Sequence, residues 1–192
     1  MKKTGLFFGS FNPIHIGHLV IAEYMVENTD LDELWFVVSP QNPLKEKKTL
    51  LADNHRWYMV NLAIENDLRF KACDIEFHMP RPSYTIDTLI RLNEKYPNNV
   101  FVLVSGSDIF KSFHKWKNHE ILLKQFPFYV YKRSDSQLGV YENNPQIKLF
   151  EAPQMEISSS FIRAGIKAKK EIKYMLPPQI DQYIKEMNFY KK

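Results

Sequence analysis

Two histidines close to the N-terminus are the residues of this sequence best placed to do chemistry. His15 and His18 stand in the segment His-Ile-Gly-His, after an apolar run that breaks at Gly9-Ser10 and before a helix-like apolar pattern. A strand that turns into a helix on small residues forms an anion site, because the helix's first N–H groups are unpaired and its dipole is positive there. Two imidazoles would add hydrogen-bond donors, and Gly17 would let a ligand approach the backbone. The segment therefore predicts a site for a nucleotide's phosphates.

Metal binding is the alternative for the same pair, since two histidines three residues apart can hold zinc. No third histidine, cysteine or carboxylate stands at a matching spacing in the sequence. A histidine pair taken alone is more often structural than functional, but the strand–turn–helix context favours contacts between His15, His18 and phosphate. No metal-ligating residue is therefore predicted.

A second candidate phosphate site lies far along the chain, where residues 157–163 read Ile-Ser-Ser-Ser-Phe-Ile-Arg. Ser158 and Ser160 can cap a helix and can also donate to phosphate oxygens, and Arg163 can form a bidentate fork with phosphate. Taken alone, a serine-rich helix start followed by an arginine is common capping chemistry. Together with the histidine pair, it favours the other half of one phosphate site.

Three further groups of residues carry both a functional and a structural interpretation. Lys45, Lys47 and Lys48 stand on a polar loop that could close over a triphosphate, although such lysines are usually only solvated. Trp116 could stack on a planar ring, or it could belong to the core. Asp108 could bind a ribose hydroxyl, or it could cap the next helix.

The bulk composition is that of one folded domain of moderate size. The chain has 192 residues, of which 44% are hydrophobic and 25% charged, and its net charge is +4. That excess suits a polyanionic ligand but is too small to imply nucleic-acid binding. The single cysteine, Cys73, excludes an internal disulfide and is expected to be a small core residue. The sequence shows no signal-peptide pattern and no apolar run of membrane-spanning length, so a cytoplasmic protein without membrane partners is expected.

Apolar runs that alternate with helix-period segments indicate an α/β protein. The runs Leu-Trp-Phe-Val-Val at 34–38 and Val-Phe-Val-Leu-Val at 100–104 are typical of parallel strands buried on both faces. The pattern predicts a Rossmann-like, doubly wound, mostly parallel sheet with helices on both faces. It also predicts one domain over residues 1–192, with a small C-terminal helical part from about residue 157. The predicted strands are 3–8, 34–38, 70–77, 100–104, 126–131 and 147–151.

The predicted helices span 17–28, 53–64, a segment ending near 96, a segment through 116 to 123, one through 166, and 179–187. Asp53 is the expected cap of the second helix, and Ser83 or Thr85 that of the third. In such folds ligands bind beyond the carboxyl ends of the strands, where the strand order reverses. The topology therefore predicts that residues 9–18, 42–45, 106–108 and 158–163 converge.

The histidine pair followed by the serine–arginine segment resembles the paired signature of the nucleotidyltransferase superfamily, which activates molecules at the α-phosphate of a nucleotide. Three further segments narrow the resemblance: Pro-Ser-Tyr-Thr-Ile-Asp-Thr at 82–88, Gly-Ser-Asp at 106–108 with Phe113 and Trp116, and Tyr-Met-Leu-Pro-Pro at 174–178. Together these segments resemble the bacterial nicotinate-nucleotide adenylyltransferases, which make nicotinate adenine dinucleotide. The similarity runs from Gly5 to about Ile184, which is nearly the whole chain.

The resemblance implies roles for the phosphate side of the site. His18 would meet the charge that develops between the α- and β-phosphates of ATP, with His15 as its partner. Lys45 and Arg163 would hold the leaving pyrophosphate, and Mg²⁺ would bridge its oxygens. The other residues implied to contact ATP are Gly9, Ser10, Phe11, Gly17, Ser158 and Ser160.

The resemblance also implies a place for the second substrate, nicotinate mononucleotide. Trp116 would stack on the nicotinate ring, and Thr85 with neighbouring backbone amides would receive the ring carboxylate. Two departures from the family pattern stand out: Asn12 replaces a usual aspartate, and Asn-Pro-Leu-Lys at 42–45 replaces a common Pro-Pro-His-Lys. The residues implied to surround this substrate are Asn42, Tyr84, Thr85, Gly106, Asp108 and Trp116.

The activity implied is adenylyl transfer from ATP to nicotinate mononucleotide in NAD biosynthesis, with these small molecules as the partners. One alternative is a sister adenylyltransferase that acts on nicotinamide mononucleotide or phosphopantetheine. Another is a non-catalytic regulator that binds a nucleotide on the same fold. Residues 82–88 and Trp116 favour a flat pyridine ring, and the intact histidine pair favours an enzyme. A homo-oligomer is compatible with the sequence.

Overall fold

The computed structural model describes residues 1–40, 50–134 and 138–191. The strands within these ranges are β1 (Lys2–Gly9), β2 (Glu33–Val38), β3 (Phe70–Cys73), β4 (Asn99–Gly106), β5 (Phe128–Tyr131) and β6 (Ile147–Phe150). They form one sheet in the order β3-β2-β1-β4-β5-β6, and every neighbouring pair is parallel. The predicted Rossmann-like, doubly wound sheet is therefore confirmed, and within the described ranges it is wholly parallel.

The central strands are apolar on both faces because both faces are covered. Leu6 and Phe7 are adjacent on β1 and both buried, as are Trp35 and Phe36 on β2. Side chains alternate along a strand, so Leu6 and Trp35 belong to one core cluster while Phe7 and Phe36 belong to the other. This arrangement explains the continuous apolar runs in the sequence.

Helices pack on each of these clusters, as predicted. The helices are α1 (Ile16–Glu27), α2 (Asp53–Ile64), α3 (Thr85–Lys95), α4 (His119–Gln125), α5 (Ser159–Lys167) and α6 (Pro178–Glu186). Buried residues of α1, α2, α5 and α6 pack in the cluster of Phe7, and those of α3 and α4 pack in the cluster of Leu6. The single domain with a C-terminal helical part stays a prediction. Within the described ranges, no helix has the length and apolar character needed to cross a bilayer.

The largest difference from the sequence prediction lies between β4 and β5. The predicted helix through 116 to 123 is confirmed only from His119, where α4 begins, and two 3₁₀ turns, Ser107–Lys111 and Phe113–Lys115, precede it. Asn118 has a left-handed backbone (φ 53°), which interrupts any regular helix at that point. Trp116 packs on Phe113 with ring centroids 5.3 Å apart, so the two aromatic residues contact each other without a regular helix.

The third strand is shorter than its alternating pattern indicates. It ends at Cys73, and Ile75–His78 forms a 3₁₀ turn in which the Phe77 N–H donates to the Asp74 carbonyl at 2.8 Å. Cys73 is buried, as expected, and burial raises the pKa of its thiol to about 11. The thiol is therefore protonated and unreactive at neutral pH.

Two predicted helix caps are wrong. Asp53 is the first residue of α2, and Ala52 occupies the cap position before it. Tyr84 occupies the cap position of α3, so neither Ser83 nor Thr85 caps that helix. Asp53 accepts from the side chains of Arg56 and Arg81, and Ser83 donates to Glu76, so neither side chain caps the main chain of its helix.

Candidate active site

A cavity of about 300 Å³ opens at the carboxyl ends of β1, β4 and β5. His15, Gly17 and His18 line it from the turn after β1, and Asp108 lines it from the chain after β4. Arg133, just beyond β5, and residues 153–157 complete the wall. The sheet order changes direction between β1 and β4, which is where a doubly wound fold binds its ligands. The predicted convergence of 9–18 with 106–108 is therefore confirmed.

The two imidazoles of the turn are stacked, with ring centroids 3.7 Å apart and planes at 27°. The backbone N–H of His15 donates to Nδ1 of His18 at 3.2 Å. This acceptor role places the proton of a neutral His18 on Nε2, which makes Nε2 a donor. His18 lies in the first turn of α1, as predicted, so its donor shares the site with the helix N-terminus.

His15 is the more deeply buried of the pair, with 4% of its surface exposed. Burial, assisted by the charge of Arg133, lowers its pKa to about 4. His15 is therefore neutral at physiological pH and cannot act as a cationic phosphate ligand. Its ring instead packs against the ring of His18.

The glycines of the turn make room for aromatic side chains of the protein. A Cβ atom at Gly9 would lie 2.7 Å from the ring of Phe11, and one at Gly17 would lie 3.2 Å from the ring of His15. Phe11 is buried, and its ring meets His18 edge-on at 5.1 Å. The side chain of Phe11 thus supports His18 from the core, and only its backbone could face ATP. The ATP contacts expected of Gly9, Phe11 and Gly17 stay predictions.

The start of α5 is tied directly to the same turn. Arg163 donates through Nη1 to the carbonyl of Asn12 at 2.8 Å and through Nη2 to the hydroxyl of Ser160 at 3.1 Å. Ser159 donates to the carbonyl of Pro13 at 2.9 Å. These contacts confirm that residues 9–18 and 158–163 converge, although about 150 residues separate them in sequence.

Ser158 caps α5, as predicted, because its hydroxyl oxygen accepts the N–H of Phe161 at 3.1 Å. Its hydroxyl proton is not used in that bond and could donate to a ligand. The phosphate contacts of Ser158, Ser160 and Arg163 stay predictions, with the arginine aimed at the turn's carbonyl.

Asp108 and Arg133 form a charged pair at the cavity wall, with Nε 3.7 Å from Oδ1. A Cβ atom at Gly106 would lie 2.4 Å from the same Oδ1, so the glycine lets the carboxylate fold back over β4. The backbone N–H of Arg133 donates to the hydroxyl of Ser107 at 2.9 Å. This contact joins the end of β5 to the chain after β4.

A second group of residues forms the side of the site predicted to receive the pyridine ring. Lys117 donates to both carboxylate oxygens of Asp87, at 2.8 and 3.1 Å. Its ammonium also lies 4.9 Å from the ring centre of Tyr84. Trp116 is half-buried against Phe113. Lys117, the residue that follows the predicted segment 106–116, therefore lies against the predicted segment 82–88.

A buried carboxylate supports the start of α3 on this side. Glu76, 3% exposed, accepts hydrogen bonds from Ser83 at 3.0 Å and from Thr88 at 2.8 Å. Burial raises the pKa of Glu76, and the two hydrogen bonds oppose that shift. The carboxylate holds the chain on both sides of Thr85, the first residue of α3.

Comparison with known proteins places this chain among nucleotidyltransferases. The cytidylyltransferase-like family model matches residues 6–165. A probable nicotinate-nucleotide adenylyltransferase of Flavobacterium psychrophilum is 51% identical over 192 residues, covering 99% of this chain and 100% of the relative. The corresponding protein of Flavobacterium johnsoniae is 52% identical over the same length, with the same coverage.

The chain belongs to the nicotinate-nucleotide adenylyltransferase family. A solved structure agrees in fold: Plasmodium falciparum nicotinic acid mononucleotide adenylyltransferase, complexed with NaAD, has a TM-score of 0.85. It is 24% identical, and the match covers 100% of this chain and 98% of that one. The resemblance drawn from the sequence motifs is thus confirmed.

No role at the site was predicted for Arg56 from the sequence. Its guanidinium is fully buried and donates to the carbonyls of Ser10 at 2.6 Å, Ser39 at 2.8 Å and Pro40 at 3.2 Å. It also donates to the carbonyl of Leu51 at 3.0 Å and pairs with an acidic neighbour three positions earlier on α2. One buried cation therefore ties the ends of β1 and β2 to both sides of the 41–49 segment.

Arg133 is the second residue missed. In the sequence, Arg133 is a basic residue just after a predicted strand, at the edge of the sheet where ligands bind. For Arg56 the signal was an Asp-x-x-Arg pair at a helix start that follows a candidate ligand loop. The expected roles of Asn42 and Lys45, and the neighbouring Lys47 and Lys48, fall outside the described residues.

Proposed function

We propose that this chain transfers the adenylyl group of ATP to nicotinate mononucleotide, giving nicotinate adenine dinucleotide and pyrophosphate. The observation that carries the proposal is the junction between the histidine turn and α5. There Arg163 and Ser159, at the start of α5, donate to the carbonyls of Asn12 and Pro13 in the turn that carries His18. Two helix N-termini, an imidazole and a guanidinium therefore belong to one junction. A site with this many donors suits a polyphosphate.

The reaction needs positioning and charge stabilisation more than covalent help. A phosphate oxygen of nicotinate mononucleotide attacks the α-phosphorus of ATP in line, and the bond to the bridging oxygen breaks as pyrophosphate leaves. Nε2 of His18 donates a hydrogen bond where charge develops between the α- and β-phosphates. Arg163, together with Lys45, holds the pyrophosphate, and Ser158 and Ser160 donate to phosphate oxygens. No side chain has to form a covalent intermediate.

The ring side of the site favours an acid over an amide. Tyr84 occupies the cap position of α3, and its side chain does not cap the helix. The first N–H groups of α3 are therefore left for another acceptor. A carboxylate is stabilised at such a terminus by the helix dipole, whereas a neutral amide is not. Trp116 directly precedes Lys117, whose ammonium lies 4.9 Å from the ring centre of Tyr84, and its indole could stack on the pyridine ring. These features support nicotinate mononucleotide over nicotinamide mononucleotide.

The magnesium ion expected for this reaction would arrive with the nucleotide. Within residues 1–40, 50–134 and 138–191, no group of three metal-ligating side chains is found. Mg²⁺ commonly keeps its waters and binds through substrate phosphates, so ATP itself would hold it. When bound, it would neutralise charge on the leaving pyrophosphate. A cytoplasmic location and assembly into a homo-oligomer stay predictions.

The proposed function is tested by pyrophosphate release from Mg-ATP with nicotinate mononucleotide, nicotinamide mononucleotide or phosphopantetheine as acceptor. We expect the fastest release with nicotinate mononucleotide. Faster release with either of the others would reassign the chain to that sister activity. ATP binding without release from any acceptor would favour a non-catalytic regulator.

A further inference from the structure

The chain beyond α6 returns to the turn that carries the two histidines. Asn188 and Tyr190 both have left-handed backbones, with φ of 55° and 62°, and they redirect the chain after the helix. The Tyr190 hydroxyl then donates to Oδ1 of Asn12 at 2.8 Å. The same oxygen accepts the N–H of Leu51 at 3.2 Å. Non-glycine residues keep a left-handed backbone only where the surrounding contacts fix it.

Asn12 is well placed to pass this contact on to the site. It is 3% exposed, and its carbonyl accepts Nη1 of Arg163 at 2.8 Å. Ser10, two residues earlier, is held by Arg56 through its own carbonyl. His15 follows three residues later and stacks on His18. A shift of the Asn12 side chain would therefore move both the turn and the guanidinium that meets it.

The electrostatic surroundings keep the tyrosine a donor. Burial raises the pKa of Tyr190, while the nearby charges of Arg163 and Arg56 oppose the shift. The phenol is therefore protonated at neutral pH, and the amide oxygen of Asn12 can only accept. An aspartate, the residue usual at this position in the family, would offer an oxygen to the same two donors. Asn12 therefore anchors the turn, a role that was not predicted from the sequence.

We propose that Tyr190 is a positioning residue for adenylyl transfer. It acts through Asn12 to hold the histidine turn and Arg163 in register for ATP, and its effect on turnover rests on the proposed function. The relevant chemical contact is one neutral hydrogen bond, donated from the phenol to the amide oxygen. Tyr190 itself touches no reacting atom.

Tyr190→Phe tests the proposal, with Tyr183→Phe as the matched control. Tyr183 lies on α6, and its hydroxyl lies 2.8 Å from Nδ1 of His55 on α2. For each variant, the ATP dissociation constant, the kcat of pyrophosphate release and the unfolding temperature are measured. We expect Tyr190→Phe to weaken ATP binding and to lower kcat by roughly three- to tenfold, the scale of one hydrogen bond.

The control separates positioning from general stability. Tyr183→Phe should lower the unfolding temperature about as much as Tyr190→Phe while leaving ATP affinity and kcat unchanged. The proposal is overturned if Tyr190→Phe keeps wild-type ATP affinity and kcat, or if both variants lose them equally. A wild-type protein that binds ATP but releases no pyrophosphate would overturn the proposed function, and the ATP affinities would still decide the role of Tyr190.

A double-mutant cycle tests whether the effect passes through Asn12. Asn12→Ala removes the acceptor, so adding Tyr190→Phe should cause little further loss of ATP affinity. Asn12→Asp keeps an acceptor and should retain more affinity than Asn12→Ala. Fully additive losses in the double variant would show that Tyr190 acts by another route and would overturn the proposal.

Discussion

The phosphate side and the ring side of the site are held by different kinds of bond. On the phosphate side, Arg56 and Arg163 donate to main-chain carbonyls of the turn after β1. On the ring side, Lys117 and Asp87 form an ion pair whose side chains are 43% and 40% exposed. A main-chain carbonyl can neither titrate nor change rotamer, whereas an exposed ion pair can do both and is screened by salt. The phosphate side is therefore fixed, and the ring side can adjust to the substrate it meets.

Each side also buries a titratable group, and the pKa values of the two groups shift in opposite directions. Burial lowers the pKa of His15 on the phosphate side and raises that of Glu76 on the ring side. In each case burial disfavours the charged form. Acid should therefore weaken the phosphate side through His15, while Glu76 opposes that loss on the ring side.

The largest expected effect is on stability, from Arg56→Met. The substitution leaves four carbonyls and an acidic side chain without their buried cation, which should cost about 3–5 kcal/mol of unfolding free energy. Urea unfolding followed by circular dichroism measures it. Arg69→Met, which removes a surface arginine paired with Asp67, is the control and should cost far less. Equal losses in the two variants would contradict the role of Arg56 as a buried anchor.

The largest expected effect on catalysis comes from His18→Ala. Loss of a donor aimed at developing charge typically lowers kcat by roughly 100- to 1,000-fold. The fold should persist, since His18 is only partly buried. His78→Ala removes an exposed histidine outside the cavity and should leave kcat unchanged. Turnover near that of the wild type in purified His18→Ala would refute the assigned role.

The pH dependence of stability should separate the two buried groups. His15 stays neutral in the folded protein down to about pH 4, but in the unfolded chain it binds a proton near its ordinary pKa of 6.5. The unfolded state thus binds more protons in this range, so stability falls on the order of 3 kcal/mol as pH drops from 6.5 to 4. His15→Gln should flatten that fall.

Glu76 contributes with the opposite sign. Its folded pKa lies above the ordinary 4.5, so its contribution is present at low pH and is lost as pH rises through the folded pKa. Glu76→Gln should therefore steepen the loss of stability on acidification. Chemical denaturation at several pH values gives the slopes, and identical slopes for the wild type and both variants would contradict the comparison.

The smallest effect is expected from Lys117→Met on the ring side. An exposed ion pair contributes little, so KM for nicotinate mononucleotide should rise less than about threefold. The rise should shrink at high salt, because salt already screens the pair in the wild type. Lys185→Met, which breaks the exposed pair with Asp181 on α6, should leave KM unchanged. A tenfold rise insensitive to salt would show that Lys117 contacts the substrate.

The sheet and one half of the site were predictable because their signals are local. Apolar runs mark the strands, and the His15–His18 spacing marks the anion site. The topology rule then placed residues 158–163 beside it. The irregular chain before α4 was not predictable, since the spacing of Phe113 and Trp116 suits a helix as well as a 3₁₀ turn.

The contacts that hold the site together left weaker signals. The Asp-x-x-Arg spacing indicates the ion pair of Arg56 with Asp53, but its bonds to main-chain carbonyls leave no trace in the sequence, because every residue possesses a carbonyl. Asn12 is completed by Tyr190, 178 residues further along the chain. A lone tyrosine at that distance has no pattern that could connect it to the turn.

The reach of Tyr190 back to Asn12 sets an order of events during protein synthesis. Asn12 leaves the ribosome 178 residues before its partner does. At a bacterial or eukaryotic pace of roughly 5–20 residues per second, the histidine turn waits on the order of ten seconds or more for that hydroxyl. Strands β1 to β3 can pair during this interval, but the turn gains its last hydrogen bond only when Tyr190 has been made. A nascent chain can therefore begin to build its sheet well before it acquires a finished site.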